Sequence, residues 1–232
     1  MEDADPTGIA GRLAEVRRRI DEAVARAGRP AGSARLIAVS KEKPADAIRA
    51  AFAAGQRDFG ENYAQELVEK AAALEDLAGL RWPAIGRLQR NKAKSVARVA
   101  SAVHAVDRAD LAAEIGKRAA AAGRSIDVLV EVSIAGEETK GGCAPGELSG
   151  VLDAIAAAPS LRAVGLMTMA PFFDDPELAR PVFAALRELR DKNGGPSALP
   201  ELSMGMSHDF EVAIAEGATL VRVGTAIFGA RN

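Results

Sequence analysis

A single cysteine, Cys143, and two histidines, His104 and His208, are all the soft and borderline metal ligands that 232 residues offer. One cysteine excludes an intramolecular disulfide, and so few histidines leave no Cys/His cluster of metal-binding spacing. That thiol content fits a reducing compartment. No run approaches the roughly 18 apolar residues of a membrane-spanning helix. The N-terminus, MEDADPTGIAGRLAEVRRRI, starts acidic and lacks the apolar core of a secretory signal. A cytoplasmic protein without a membrane partner is therefore expected. An excess of one charge is missing too, since 30 basic and 32 acidic residues leave a formal −2 with no long block of either sign. Nothing in that balance argues for nucleic acid as a partner.

What is present is apolar mass and alternation. At 48% hydrophobic the chain can bury one substantial core, and a single domain over residues 1–232 is expected. Ile9, Leu13, Val16, Ile20 and Val24 recur at helical spacing, Thr7 offers a cap, and Gly28 with Pro30 offers a stop. Beyond this helix, eight β-rich runs follow: 36–40, 58–60, 84–86, 102–106, 126–132, 163–167, 201–203 and 220–223. Between them lie alanine-rich amphipathic stretches such as 45–54, 63–77, 111–122, 148–157 and 176–192. Strands alternating with helices pair in parallel, and eight such units predict a closed (β/α)8 barrel, with a doubly wound open sheet as the alternative. The last strand leaves no room for a long eighth helix, a gap that the N-terminal helix can fill. Residues 193–200, rich in Gly, Pro and Ser, read as a surface connection.

In such a barrel the active groups stand where strands end. Lys41 follows the run LIAVS and shares a face with Ile37 and Val39; partly desolvated there, its amine would be a nucleophile toward an aldehyde, whereas the plain alternative is a solvated loop lysine like Lys43. Asn62, in FGENY, either caps the following helix or contacts a ligand. The basic cluster in 85–92 either meets an anion or starts a solvated helix. Ser203-Met204-Gly205-Met206-Ser207 and Arg222-Val223-Gly224-Thr225 end adjacent strands seven and eight, where hydroxyls and free N–H groups suit a phosphate monoester. Either methionine can pack on an aromatic ring, and Arg222 can alternatively form an internal ion pair with Glu131.

Taken in order, AVSKEKP (38–44), FGENYAQE (59–66), IGRLQRNK (85–92), HAVDR (104–108), GLMTMAP (165–171), LSMGMSHDF (202–210) and VRVGTAIFG (221–229) resemble one family. It is the pyridoxal 5′-phosphate (PLP) homeostasis proteins, whose barrel is similar to the N-terminal domain of alanine racemase. The resemblance implies an internal aldimine on Lys41, with Asn62 and Met204 against the pyridine ring and Arg222 facing the ring nitrogen. It also implies Ser203, Ser207, Gly224 and Thr225 around the phosphate, with the choice of serine left open. One departure is Trp82-Pro83-Ala84-Ile85-Gly86, where many members have histidine and phenylalanine after the tryptophan. Proline lacks a ladder N–H and fits only the start of an interior strand.

A positive charge at the ring nitrogen opposes its protonation and so weakens the cofactor as an electron sink. Tyr63 is the single tyrosine and is expected to start a helix, so no second base for racemisation is visible. The resemblance therefore implies a non-catalytic or barely catalytic protein that buffers, carries or delivers PLP, with apo-PLP enzymes as recipients; the alanine-rich helices would pack equally well inside a monomer or across a weak homodimer. The alternatives are an amino-acid racemase and an aldolase that uses Lys41 toward a phosphorylated sugar.

Overall fold

The computed structural model describes residues 6–136 and 141–229. Eight strands form one parallel sheet: β1 (Arg35–Val39), β2 (Phe59–Gly60), β3 (Pro83–Ala84), β4 (Ala102–Val106), β5 (Ile126–Glu131), β6 (Leu161–Met167), β7 (Glu201–Ser203) and β8 (Leu220–Val223). Their order is β2-β1-β8-β7-β6-β5-β4-β3, each neighbour parallel. The two ends of that order meet. Bridges Asp58 to Arg81 and Glu61 to Ala84 join β2 to β3, with Phe59 N–H donating to Arg81 O at 2.9 Å and Glu61 N–H to Pro83 O at 3.1 Å. The barrel is thereby closed and the open-sheet alternative is set aside. Pro83 takes the first position of β3 and contributes its carbonyl, which is how an interior strand tolerates a residue without N–H.

The helices, in chain order, are α1 (Pro6–Arg26), α2 (Ala45–Ala53), α3 (Ala64–Ala73), α4 (Ala93–Val99), α5 (Ala109–Ala121), α6 (Leu148–Ala156), α7 (Arg180–Lys192), α8 (Gly195–Ala198), α9 (Phe210–Ala215) and α10 (Thr225–Phe228). The expected stretch 176–192 divides into a 3-10 turn, Pro176–Ala179, followed by α7. Residues 193–200 hold the single turn of α8. α3 is shorter than expected at both ends, and Thr7 lies inside α1, not at its cap.

α10 is a single turn, and α1 completes the outer layer beside it. Ile9, Leu13, Val16, Ile20 and Val24 are all buried, and the helix packs on α2, α9 and α10. Burial of each such side chain is worth about 1.5–3 kcal/mol, so the apolar stripe suffices to dock the helix. Its polar residues finish other elements: Arg12 Nε donates to Ile227 O at 2.7 Å, and Arg17 Nη1 donates to Ala54 O at the end of α2 at 2.8 Å. Strand alternation divides the core in two. Ile37, Ala105, Leu129, Met167 and Leu220 fill the barrel, while the larger cluster lies between strands and helices.

Candidate active site

A cavity of about 300 Å³ opens where the strands end, and Lys41, Asn62, Ser207, Arg222, Gly224 and Thr225 all line it. These six come from the ends of β1, β2, β7 and β8, neighbours in the sheet order. Lys41 continues the inward face of β1, since Ile37 lies in the barrel interior and Val39 lines the cavity with it. Asn62 does not cap α3, whose N-cap residue is Tyr63 with no side-chain cap bond. The basic side chains Arg87, Arg90 and Lys92 stay outside the cavity lining; Arg90 is largely exposed and faces Glu114 at 3.8 Å.

Two expected contacts fall elsewhere. Ser203 is buried inside the barrel below the cavity, where its hydroxyl accepts from Arg222 Nη1 at 2.7 Å and lies 3.1 Å from His104 Nδ1. Its hydroxyl is spent there, so Ser207 is the serine that borders the cavity. Met204, next along the chain, points the other way by alternation and joins the core between sheet and helices. Met206 borders the cavity in its place.

The reversal between them rests on Gly205, with φ of +90°. A Cβ there would also stand 2.6 Å from Ala213 Cβ and 2.9 Å from Phe210 Cα. Only glycine satisfies both the left-handed turn and the close approach of α9. Past the turn, Asp209 accepts Met206 N–H at 2.6 Å; burial raises its carboxyl, and the bond from Met206 partly offsets the rise. The backbone N–H groups of Ser207 and Thr225 meet no acceptor among the described residues. Two hydroxyls and two donors at one corner are a suitable cradle for a phosphate.

Arg222 is almost fully buried and held from one side, donating to Ser203 Oγ and, through Nη2, to Thr168 O at 3.0 Å. The ion pair with Glu131 is not formed. Burial lowers the guanidinium to about 10, with Glu131 and Asp209 opposing from a distance, so it stays cationic at neutral pH. Glu131, at the end of β5, is raised to about 7, first by burial and then by Asp107.

The cavity thus combines an amine at the end of β1, a fixed cation on β8 and a hydroxyl-rich anion cradle beside it. That set fits an aromatic aldehyde carrying a phosphate monoester. The alanine racemase N-terminal domain model matches residues 12–232. A PLP homeostasis protein of Aquifex aeolicus is 48% identical over 223 residues, covering 95% of this chain and 97% of that protein. Its counterpart in Escherichia coli strain K12 is 42% identical over 230 residues, covering 97% of each. The chain belongs to the pyridoxal phosphate homeostasis protein family.

Among solved structures, PipY of Synechococcus elongatus with PLP bound is 39% identical and superposes with a TM-score of 0.83, covering 95% of this chain and all of PipY. An alanine racemase of Corynebacterium glutamicum, at 21% identity and TM-score 0.65, shares the fold and extends well beyond it, with 61% of its length covered. As a homeostasis-family barrel, this chain adds contacts that strand-end motifs did not reveal. Phe172, Phe173 and His208 form one side of the cavity mouth, Phe172 and His208 stacking with centroids 5.3 Å apart. The signal available was APFFDDP (170–176), which begins three positions past the end of β6, in a strand-end loop like those that supply the other lining residues. Among the described residues no helix is long and apolar enough to cross a membrane, and no group of His, Cys, Asp or Glu could hold a metal ion.

Proposed function

We propose that this protein is a single-domain reservoir and carrier of PLP that holds the cofactor as a Schiff base on Lys41 and releases it to apo-PLP enzymes in the cytoplasm. The observation that carries the reading is the placement of Lys41, Arg222 and the Ser207/Thr225 corner around one cavity. PLP bound in PipY, and the homeostasis name carried by the relatives, support it. The Lys41 amine adds to the aldehyde carbon and one water leaves, forming a C=N bond that hydrolysis or a competing amine can reverse. When bound, PLP supplies an electron sink, which Arg222 at the ring nitrogen would weaken.

Binding without turnover is the reading that the surrounding residues favour. Tyr63 is more than half exposed and lies outside the cavity lining, so it offers no acid or base to the face opposite Lys41. Ser207, Gly224 and Thr225 hold an anion in place, and Asn62 borders the ring position beside Lys41.

Transfer is the test. The loaded protein is incubated with an apo-PLP enzyme, and recovery of that enzyme's activity is compared with the same concentration of free PLP. Faster or more complete recovery from the protein supports delivery, and recovery no better than from free PLP rejects it.

A further inference from the structure

Both peptide groups that flank Lys41 are held by one buried cluster that lies behind the cavity. On the N-terminal side, Ser40 donates its hydroxyl to Glu61 Oε1 at 2.6 Å, while its carbonyl accepts from Lys70 Nζ at 2.6 Å. On the C-terminal side, Glu42 N–H points between the two oxygens of Glu66, at 2.9 and 3.1 Å. Lys70 joins the halves, with Nζ 2.8 Å from Glu61 Oε1 and 3.3 Å from Glu66 Oε2. Ser40, Glu61 and Lys70 are all buried.

The backbone shows what this cluster does. Glu42 adopts φ of 62°, the one left-handed non-glycine residue among those described. Such a conformation costs roughly 1–3 kcal/mol and persists only where surrounding contacts over-determine it. Here the contact is the carboxylate of Glu66. Lys43 N–H closes the turn on Ser40 O at 3.0 Å, so the carbonyl that Lys70 grips is also the turn's acceptor. A buried lysine paired with a buried glutamate adds little net stability, because desolvation offsets much of the attraction. None of Glu61, Glu66 and Lys70 lines the cavity.

We infer that Lys70, Glu61 and Glu66 are positioning residues for Lys41, fixing the turn around it so that its amine is presented to the aldehyde. The inference rests on the proposed Schiff base. Positioning of a nucleophile affects the covalent step and leaves binding of the rest of the ligand intact. Pyridoxine 5′-phosphate, which has the ring and phosphate but no aldehyde, separates the two.

Glu66→Ala, Lys70→Met and the charge-neutral pair Glu61→Gln with Lys70→Met are compared with the unmodified protein. Affinity for pyridoxine 5′-phosphate is measured by calorimetry, and the rate of PLP capture is measured by borohydride trapping with peptide mass analysis. The expected result is unchanged pyridoxine 5′-phosphate affinity and capture slowed on the order of tenfold. Glu66→Gln, which keeps an oxygen for Glu42 N–H, should restore most of the rate. Capture at the unmodified rate, or equal loss of both ligands, overturns the positioning role. Absence of any Lys41 adduct in the unmodified protein instead overturns the Schiff-base reading itself.

Discussion

Arg222 on β8 donates Nη1–H to the hydroxyl of Ser203 on β7 at 2.7 Å. A guanidinium only donates, so Ser203 Oγ is the acceptor and its own proton can go to His104 Nδ1, 3.1 Å away. That arrangement requires a neutral His104. Burial, followed by the charge of Arg222, lowers the ring to about 3 from its ordinary 6.5.

The pH dependence follows from that sign. Between pH 6.5 and 3 the unfolded chain binds a proton at His104 that the folded chain refuses, so the stability present above 6.5 is lost as pH falls, by on the order of 1 kcal/mol per pH unit. Urea unfolding of the protein and of His104→Gln at pH 7 and pH 5 should show the gap between them shrinking at the lower pH. A constant gap would mean that His104 does not titrate between the two states.

Lys41→Ala should abolish the visible absorbance of the PLP-loaded protein, whereas Lys43→Ala should keep it. Lys43 also lines the cavity, so the experiment decides between two amines one residue apart on either side of Glu42. Colour lost only with Lys43 would transfer the Schiff base to it.

Thr225→Val should weaken PLP binding more than pyridoxal binding, because only the former carries the phosphate. Loss of one neutral hydrogen bond to an anion corresponds to about 1.5–3 kcal/mol, or roughly ten- to a hundredfold in Kd. Equal losses for both ligands, measured by titration of the absorbance, would place the phosphate elsewhere.

Gly205→Ala should destabilise the fold by at least about 2 kcal/mol, since the new Cβ meets both an unfavourable φ and Ala213 at 2.6 Å. Gly146→Ala, at a glycine with open space and no left-handed φ, is the control and should change little. A similar denaturation midpoint for both variants would show that α9 moves aside freely.

Period and strand-end position made much of this protein legible before any coordinates. The 3.6-residue stripe of α1 and the alternation of β-rich and alanine-rich runs determined the barrel. The end-of-strand placement of Lys41, Asn62, Arg222, Gly224 and Thr225 put five of the cavity-lining residues at one mouth, because each follows from local chain direction, whereas Ser207 reaches it only past the Gly205 turn. The tertiary structure decided what depends on a turn or on two distant elements. Ser203 and Met204 miss the cavity because strand alternation sends Ser203 into the barrel below it and Met204 outward toward the helices before Gly205 reverses the chain. His104 meets Ser203 from a strand whose register shifts between Val103 and Val106, which a strict period of two does not foresee. Lys70, an ordinary position in a helical pattern, becomes a partner of Ser40 and Glu61 only when α3 folds against β1 and β2. Its contacts are set by packing between elements, and sequence spacing carries no record of them.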